Sequence, residues 1–174
     1  AKKAELLIDG NKNPIVMECA DEAGFFACLV GRNKEFKYQF VVTYDNDIVQ
    51  TIYDPYSFES IYTEEDLSKF DAGINYEIYE KMGAKPMTLS GVEGVNFSVW
   101  APEAMRVSVV GDFNLWDGRK HQMNKLGDFG VFELFIPEAR VGDLYKFEIK
   151  TGKGEPMLKS DPYAFYSELR PNTA

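Results

Sequence analysis

The stretch from Met17 to Val30 falls without a gap on the stretch from Met123 to Ile136, and a repeat of this kind restricts the chain to a fold built twice. Met17 falls on Met123, Gly24 on Gly130, Phe26 on Phe132, Cys28 on Leu134 and Val30 on Ile136. Past a loop read as three residues longer in the second copy, Phe36, Tyr38 and Phe40 fall on Tyr145, Phe147 and Ile149. Both copies then close alike, with Asp54-Pro55-Tyr56-Ser57-Phe58 and Asp161-Pro162-Tyr163-Ala164-Phe165. Matched apolar register, a matched glycine and a matched closing motif define two copies of one domain.

Each copy reads as β. Val95, Phe97 and Val99 alternate with Asn96 and Ser98, and Tyr145, Phe147 and Ile149 alternate with Lys146, Glu148 and Lys150. A period of two turns one face to a core and the other to water. Val131 to Ile136 is apolar on both faces, as a central strand requires. Turn chemistry separates the runs at Asn114 to Gly118, Gly127 to Gly130 and Thr151 to Gly154. The predicted fold is all-β: two tandem immunoglobulin-like β-sandwiches joined by a short helical linker, the first one incomplete. Val95 to Trp100 has no counterpart in the first copy, so the chain is expected to begin inside that domain. The expected division is 1–60 for the first sandwich, 61–82 for the linker and a connecting strand, and 83–174 for the second sandwich.

In the linker, Thr63-Glu64-Glu65-Asp66 has the form of a capping box, and Gly73 suits a left-handed helix end. Tyr76 to Glu80 is expected to run as a strand into Gly83.

The chemistry on offer is narrow. A net charge of −9 disfavours nucleic acid and anionic membranes and suits a neutral partner such as a polysaccharide. No apolar run approaches the length needed to span a bilayer, and a cytoplasmic protein is expected. Cys19 and Cys28 read as buried thiols rather than a disulfide or a metal site. His121 is the one histidine, which leaves no His-dependent triad, and no phosphate loop, cofactor site or facing carboxylate pair is recognisable. His121 is expected to hydrogen-bond structurally. Trp116, on a turn after a strand, can stack on a sugar ring while a nearby amide or lysine bonds hydroxyls; packing is its alternative role. Asn114 of the same turn can serve such a site or form an Asx turn. Trp100 is expected to pack in a core or between domains. Asp54 and Asp161 are expected to anchor turns, with Tyr56 and Tyr163 buried at the sandwich edge.

Asp112-Phe113-Asn114-Leu115-Trp116, then Tyr145-Lys146-Phe147, then Asp161-Pro162-Tyr163 resembles carbohydrate-binding module family 48. That module occurs in α-glucan branching and debranching enzymes and in the glycogen-binding β subunit of the AMP-activated kinase. Phe97-Ser98-Val99-Trp100-Ala101-Pro102, Trp116-Asp117-Gly118-Arg119, His121, Met123 and Glu168 to Ala174 extend the likeness to the stretch before the catalytic barrel of bacterial branching enzymes. The resemblance implies a non-catalytic segment of a glycoside hydrolase family 13 enzyme. That enzyme cuts an α-1,4 link and transfers the chain to a 6-hydroxyl, with its catalytic residues beyond Ala174. It also implies glucan contact by Trp116 and Lys146, the catalytic barrel of the same polypeptide as partner, and no cofactor or metal. The second stacking tryptophan of the kinase subunit has no counterpart in 151–157. A freestanding glycogen-binding regulatory module, or the same module on a debranching or trehalose-releasing hydrolase, are the other readings. The first copy lacks tryptophan and is expected to act as a spacer.

Overall fold

The structure is a computed structural model and describes residues 1–31, 36–152 and 154–167. The motif Glu168 to Ala174 lies outside the described residues. The chain divides into two compact units, Ala1–Ser57 and Phe58 onward.

The first unit holds strands β1 (Lys3–Ile8), β2 (Ile15–Val16), β3 (Glu18–Asp21), β4 (Phe25–Ala27), β5 (Tyr38–Thr43) and β6 (Val49–Ile52). Its sheets run β2-β1-β5-β6 and β3-β4. Ala4, Leu6 and Ile8 alternate with charged or half-buried neighbours and form its buried line.

The second unit holds helix α1 (Glu64–Asp71) and strands β7 (Gly83–Leu89), β8 (Val92–Trp100), β9 (Ala104–Gly111), β10 (Asn124–Leu126), β11 (Val131–Ile136), β12 (Tyr145–Thr151) and β13 (Met157–Lys159). A four-stranded sheet, β10-β11-β8-β7, faces a three-stranded sheet, β13-β12-β9. Val95, Phe97, Val99, Phe132, Leu134 and Ile136 from one meet Val107, Val109, Tyr145 and Phe147 from the other in a single buried cluster. The period of two puts these residues inside and sends Asn96, Ser98 and Glu133 to the far face.

That far face is covered. Residues 58–82 lie over it, with Tyr62, Leu67 and Met82 packed on Val131 and the Phe58 ring 4.7 Å from the Phe135 ring. This is why β11 is apolar on both faces. The polar side chains beneath are satisfied: Tyr62 Oη lies 2.8 Å from Ser98 Oγ, which donates to the Lys81 carbonyl. Glu133 accepts from Asn96 and from the Ile61 amide. Thr63 closes the capping box of α1 with Asp66, and Gly73 ends the helix at φ +70°. The strand expected over Tyr76 to Glu80 is absent; Ile78–Glu80 is a 3-10 turn instead. Ile78 belongs to the cluster under α1, and its carbonyl takes the Met82 amide, which bends the backbone away from an extended path.

The two units repeat one another strand by strand. The Met17 amide donates to Ala4 and the Met123 amide to Val107, so β1 corresponds to β9. Ala4 pairs with Val42 and Val107 with Ile149; Leu6 pairs with Phe40 and Val109 with Phe147. Phe40 pairs with Ile52 and Phe147 with Lys159. The matched glycines, Gly24 and Gly130, both turn at positive φ between equivalent strands, +94° and +73°. β7 and β8 have no counterpart among the described residues of the first unit.

This pairing corrects the expected alignment after residue 30. Tyr38, not Phe36, occupies the place of Tyr145. The chain after β4 is one residue longer in the second copy, not three. The three-residue insertion lies elsewhere: six residues separate Ile8 from Ile15, and nine separate the corresponding Gly111 from His121. A slip of two keeps every side chain on its own face, so the hydrophobic pattern is blind to it.

Three burial expectations also fail in whole or in part. Cys19 is exposed and Cys28 half-buried, both free, because β4 lacks the strand that β8 lays against β11. Tyr56 is exposed, whereas Tyr163 packs under α1. Trp100 is 56% exposed and meets Phe70 of α1 edge to face at 6.0 Å, so it is not a core residue.

Candidate functional site

The three-residue insertion is the turn that carries Trp116. It begins where β9 ends, runs through a 3-10 turn at Asp112–Asn114 and returns at His121. Leu115 and Trp116 both sit in the left-handed region, at φ +58° and +61°. Each such residue without a glycine's freedom costs roughly 1–3 kcal/mol, so the surroundings must hold the turn firmly.

Asn114 does the holding from below. It is 1% exposed; its Oδ1 accepts from the Gly111 amide at 3.0 Å and its Nδ2 donates to the Val109 carbonyl at 2.8 Å. Nδ2 also lies 3.0 Å from His121 Nδ1, which acts as acceptor, so the ring proton resides on Nε2. Burial, helped by neighbouring Lys120, pulls the His121 pKa down to about 4 and keeps it neutral. Both residues are therefore internal supports. Of the two roles expected for Asn114, the structure displays the turn-forming one: its amide bonds inside the turn.

Above this support, Asp112 ties the turn to the next strand. Its Oδ1 accepts from Trp116 Nε1 at 3.2 Å and its Oδ2 from the Leu144 amide at 3.0 Å, two residues before Lys146. The Trp116 amide donates to the Gly111 carbonyl at 3.0 Å. The far end of the turn is closed by Arg119, which grips Asp117 through Nε and Nη2 at 2.9 and 2.8 Å and holds that carboxyl well below the usual range. Trp116 remains 38% exposed and Leu115 is 82% exposed.

Lys146 lies on β12 between the inward-facing Tyr145 and Phe147, so its side chain leaves on the outer face of the three-stranded sheet. It has no ion-pair partner among the described residues. Glu148 shares that outer face and pairs with Arg106 at 2.5 Å. Gly118, two residues past Trp116, lies against Glu148 on that same outer face, so the turn that presents the indole sits on the side of the sheet from which Lys146 leaves. An aromatic face beside a few fixed polar groups is what a neutral, polyhydroxylated ring needs for stacking and hydroxyl contact. Sequence reasoning named Trp116 and Lys146 but missed Asp112 and Glu148. Their signal was weak: one aspartate inside the quoted motif, and one charged residue in a regular alternation.

Residues 81–164 match the family described as carbohydrate-binding module 48 (isoamylase N-terminal domain). Residues 1–56 match the family described as alpha-1,4-glucan branching enzyme GlgB, N-terminal domain. The 1,4-alpha-glucan branching enzyme GlgB of Synechocystis sp. is 45% identical over all of this chain, which covers 22% of that protein. The namesake from Thermosynechococcus vestitus is 46% identical over all of this chain, which covers 23% of it. The chain thus spans under a quarter of the length of the curated relatives it matches. Among solved structures, a pullulanase from Anoxybacillus sp. LM18-11 aligns with 99% of this chain and 24% of its own, at 18% identity and a TM-score of 0.46.

Proposed function

Because this chain belongs to the 1,4-alpha-glucan branching enzyme family and carries its N-terminal modules, we propose that it is the non-catalytic glucan-holding segment of such an enzyme. The parent activity would be the cutting of an α-1,4 glucan chain and its transfer to a 6-hydroxyl. What supports the glucan-holding part is the exposed Trp116 on a turn tied through Asp112 to Leu144, two residues before Lys146, within a matched carbohydrate-binding module. In this reading the indole stacks on a glucose ring and the lysine ammonium donates to ring hydroxyls. The immunoglobulin-like description belongs to the same proposal; it is supported in the second unit by sheets of four and three strands facing across one core, and in the first by the strand pairings it repeats. So does a cytoplasmic location, which two free thiols suit and cell fractionation would check.

The test is a maltoheptaose titration followed by NMR, run beside Trp116→Ala. Shifts confined to residues 112–118 and 144–148, and lost with the tryptophan, support the reading. A folded protein whose spectrum does not move at millimolar sugar refutes it. The exposed Trp116 face would then be a seat for the remainder of the polypeptide, the second function the same exposure allows.

A further inference from the structure

The turn that carries Trp116 rests on a charged pair not reached by any motif. Gly118, two residues after the tryptophan, sits directly on Glu148: a Cβ at that position would fall 2.6 Å from the carboxylate carbon. Such closeness is tolerable where a side chain can swing aside. Glu148 cannot do so freely, because its Oε1 accepts from Arg106 Nη2 at 2.5 Å, and Arg106 and Glu148 are held on paired neighbouring strands. Glu148 also lies two residues from Lys146 on the same face of β12, about 7 Å along the strand.

We propose that the Arg106–Glu148 pair is the strut that sets the height of the Trp116 turn relative to Lys146, and so fixes the spacing of the two glucan contacts. The proposal rests on the glucan-holding reading for its effect on sugar, but its effect on the turn stands alone. Glu148 is a positioning residue here. Asn114 and Asp112 define the shape of the turn from its near end, at Gly111 and Leu144. At the far end, after two left-handed residues have reversed the chain, Arg119 and Asp117 close the turn on itself, and Glu148 is the contact that seats it on the sheet. Without it, Trp116 keeps its hydrogen bonds but not its distance from the lysine. The glycine at 118 is explained by the same contact, since any side chain there would displace the carboxylate from Arg106.

Three variants test the strut: Glu148→Ala, Glu148→Gln and Gly118→Ala. The readout without sugar is the pair of indole N–H resonances. Trp116 should shift and broaden in Glu148→Ala and Gly118→Ala, whereas Trp100, on the opposite sheet, should stay in place as an internal control. Glu148→Gln keeps the shape and the acceptor and should restore the Trp116 resonance. With maltoheptaose, the two disrupted variants should bind about tenfold more weakly or worse, and Glu148→Gln within about threefold of the parent. An unmoved Trp116 resonance in Glu148→Ala overturns the strut. Equal loss of binding in Glu148→Ala and Glu148→Gln while the Trp116 resonance is restored in Glu148→Gln also overturns it, because the carboxylate would then be acting on sugar and not on the turn. If the parent binds no maltoheptaose while the resonances move as stated, the glucan reading fails and the strut stands.

Discussion

Tyr145 donates its hydroxyl to Asp161 Oδ2 at 2.5 Å, sixteen residues along the chain, and the first copy repeats the tie between Tyr38 and Asp54 at 2.6 Å over the same separation. In both copies the other carboxylate oxygen takes the amide two residues on, Tyr163 in one and Tyr56 in the other. The Asp-Pro-Tyr signature is thus half of a latch whose other half is a tyrosine at the start of β5 or β12, the first strand of the closing hairpin. Tyr145→Phe leaves a buried carboxylate one donor short and should destabilise the second unit by about 1.5–3 kcal/mol in denaturant unfolding. Tyr38→Phe, at a half-buried latch whose hydroxyl pKa burial raises to about 12, should cost the first unit less, about 0.5–1.5 kcal/mol.

Stability should fall on mild acidification. His121 titrates at about 4 in the fold and near 6.5 when unfolded, so between those values the unfolded chain binds more protons. Its contribution is complete above about pH 6.5 and declines as the pH falls towards 4, by roughly 1–3 kcal/mol. Asp161, raised by burial, titrates in the opposite sense, so the informative quantity is a difference. His121→Asn keeps an acceptor for Asn114 and should flatten the slope of stability against pH between 4 and 6.5. An unchanged slope would remove His121 as its source.

Asn114→Ala should be the most damaging substitution in the turn. It strips the Gly111 amide, the Val109 carbonyl and His121 Nδ1 of their partner at a site closed to solvent, a loss of about 2–4 kcal/mol. Thermal unfolding monitored at Trp116 would show it. A loss under about 0.5 kcal/mol would mean that water or relaxation replaces the amide.

Thr63→Ala should cost about 1 kcal/mol through the lost cap of α1. Because α1 covers the outer face of the four-stranded sheet, the same variant should raise hydrogen exchange at Val131 and Glu133 as well as in the helix. Exchange confined to residues 63–66 would show that the cap is only local.

Much of this architecture was readable from the residues. Alternation at 95–99 and 145–150 gave the strands and their faces, and Thr63 to Asp66 gave the helix start, because each rule acts within a few residues. The register between the two copies was not readable past residue 30. Phe36, Tyr38 and Phe40 alternate so regularly that a shift of two changes nothing in the pattern, and only cross-strand pairing resolves it. The role of residues 58–82 escaped for a related reason. A short amphipathic helix looks the same as a linker or as a covering layer; what decides is the apolar far face of β11, contributed from seventy residues away. At the site, Trp116 was conspicuous by type, whereas the support of Glu148 depends on a backbone approach at Gly118 that no spacing encodes.

The tyrosine–aspartate latch also bears on the order of events when the polypeptide collapses. A tie across sixteen residues closes the shorter loop, and each doubling of loop length adds about 0.6 kcal/mol to the entropy lost. Contacts between β9 and β12 must instead bring together segments more than thirty residues apart. The closing hairpin of each copy can therefore snap shut first and offer β5 or β12 as a ready template. β1 and β9, though earlier in the sequence, would be the late arrivals that dock onto it.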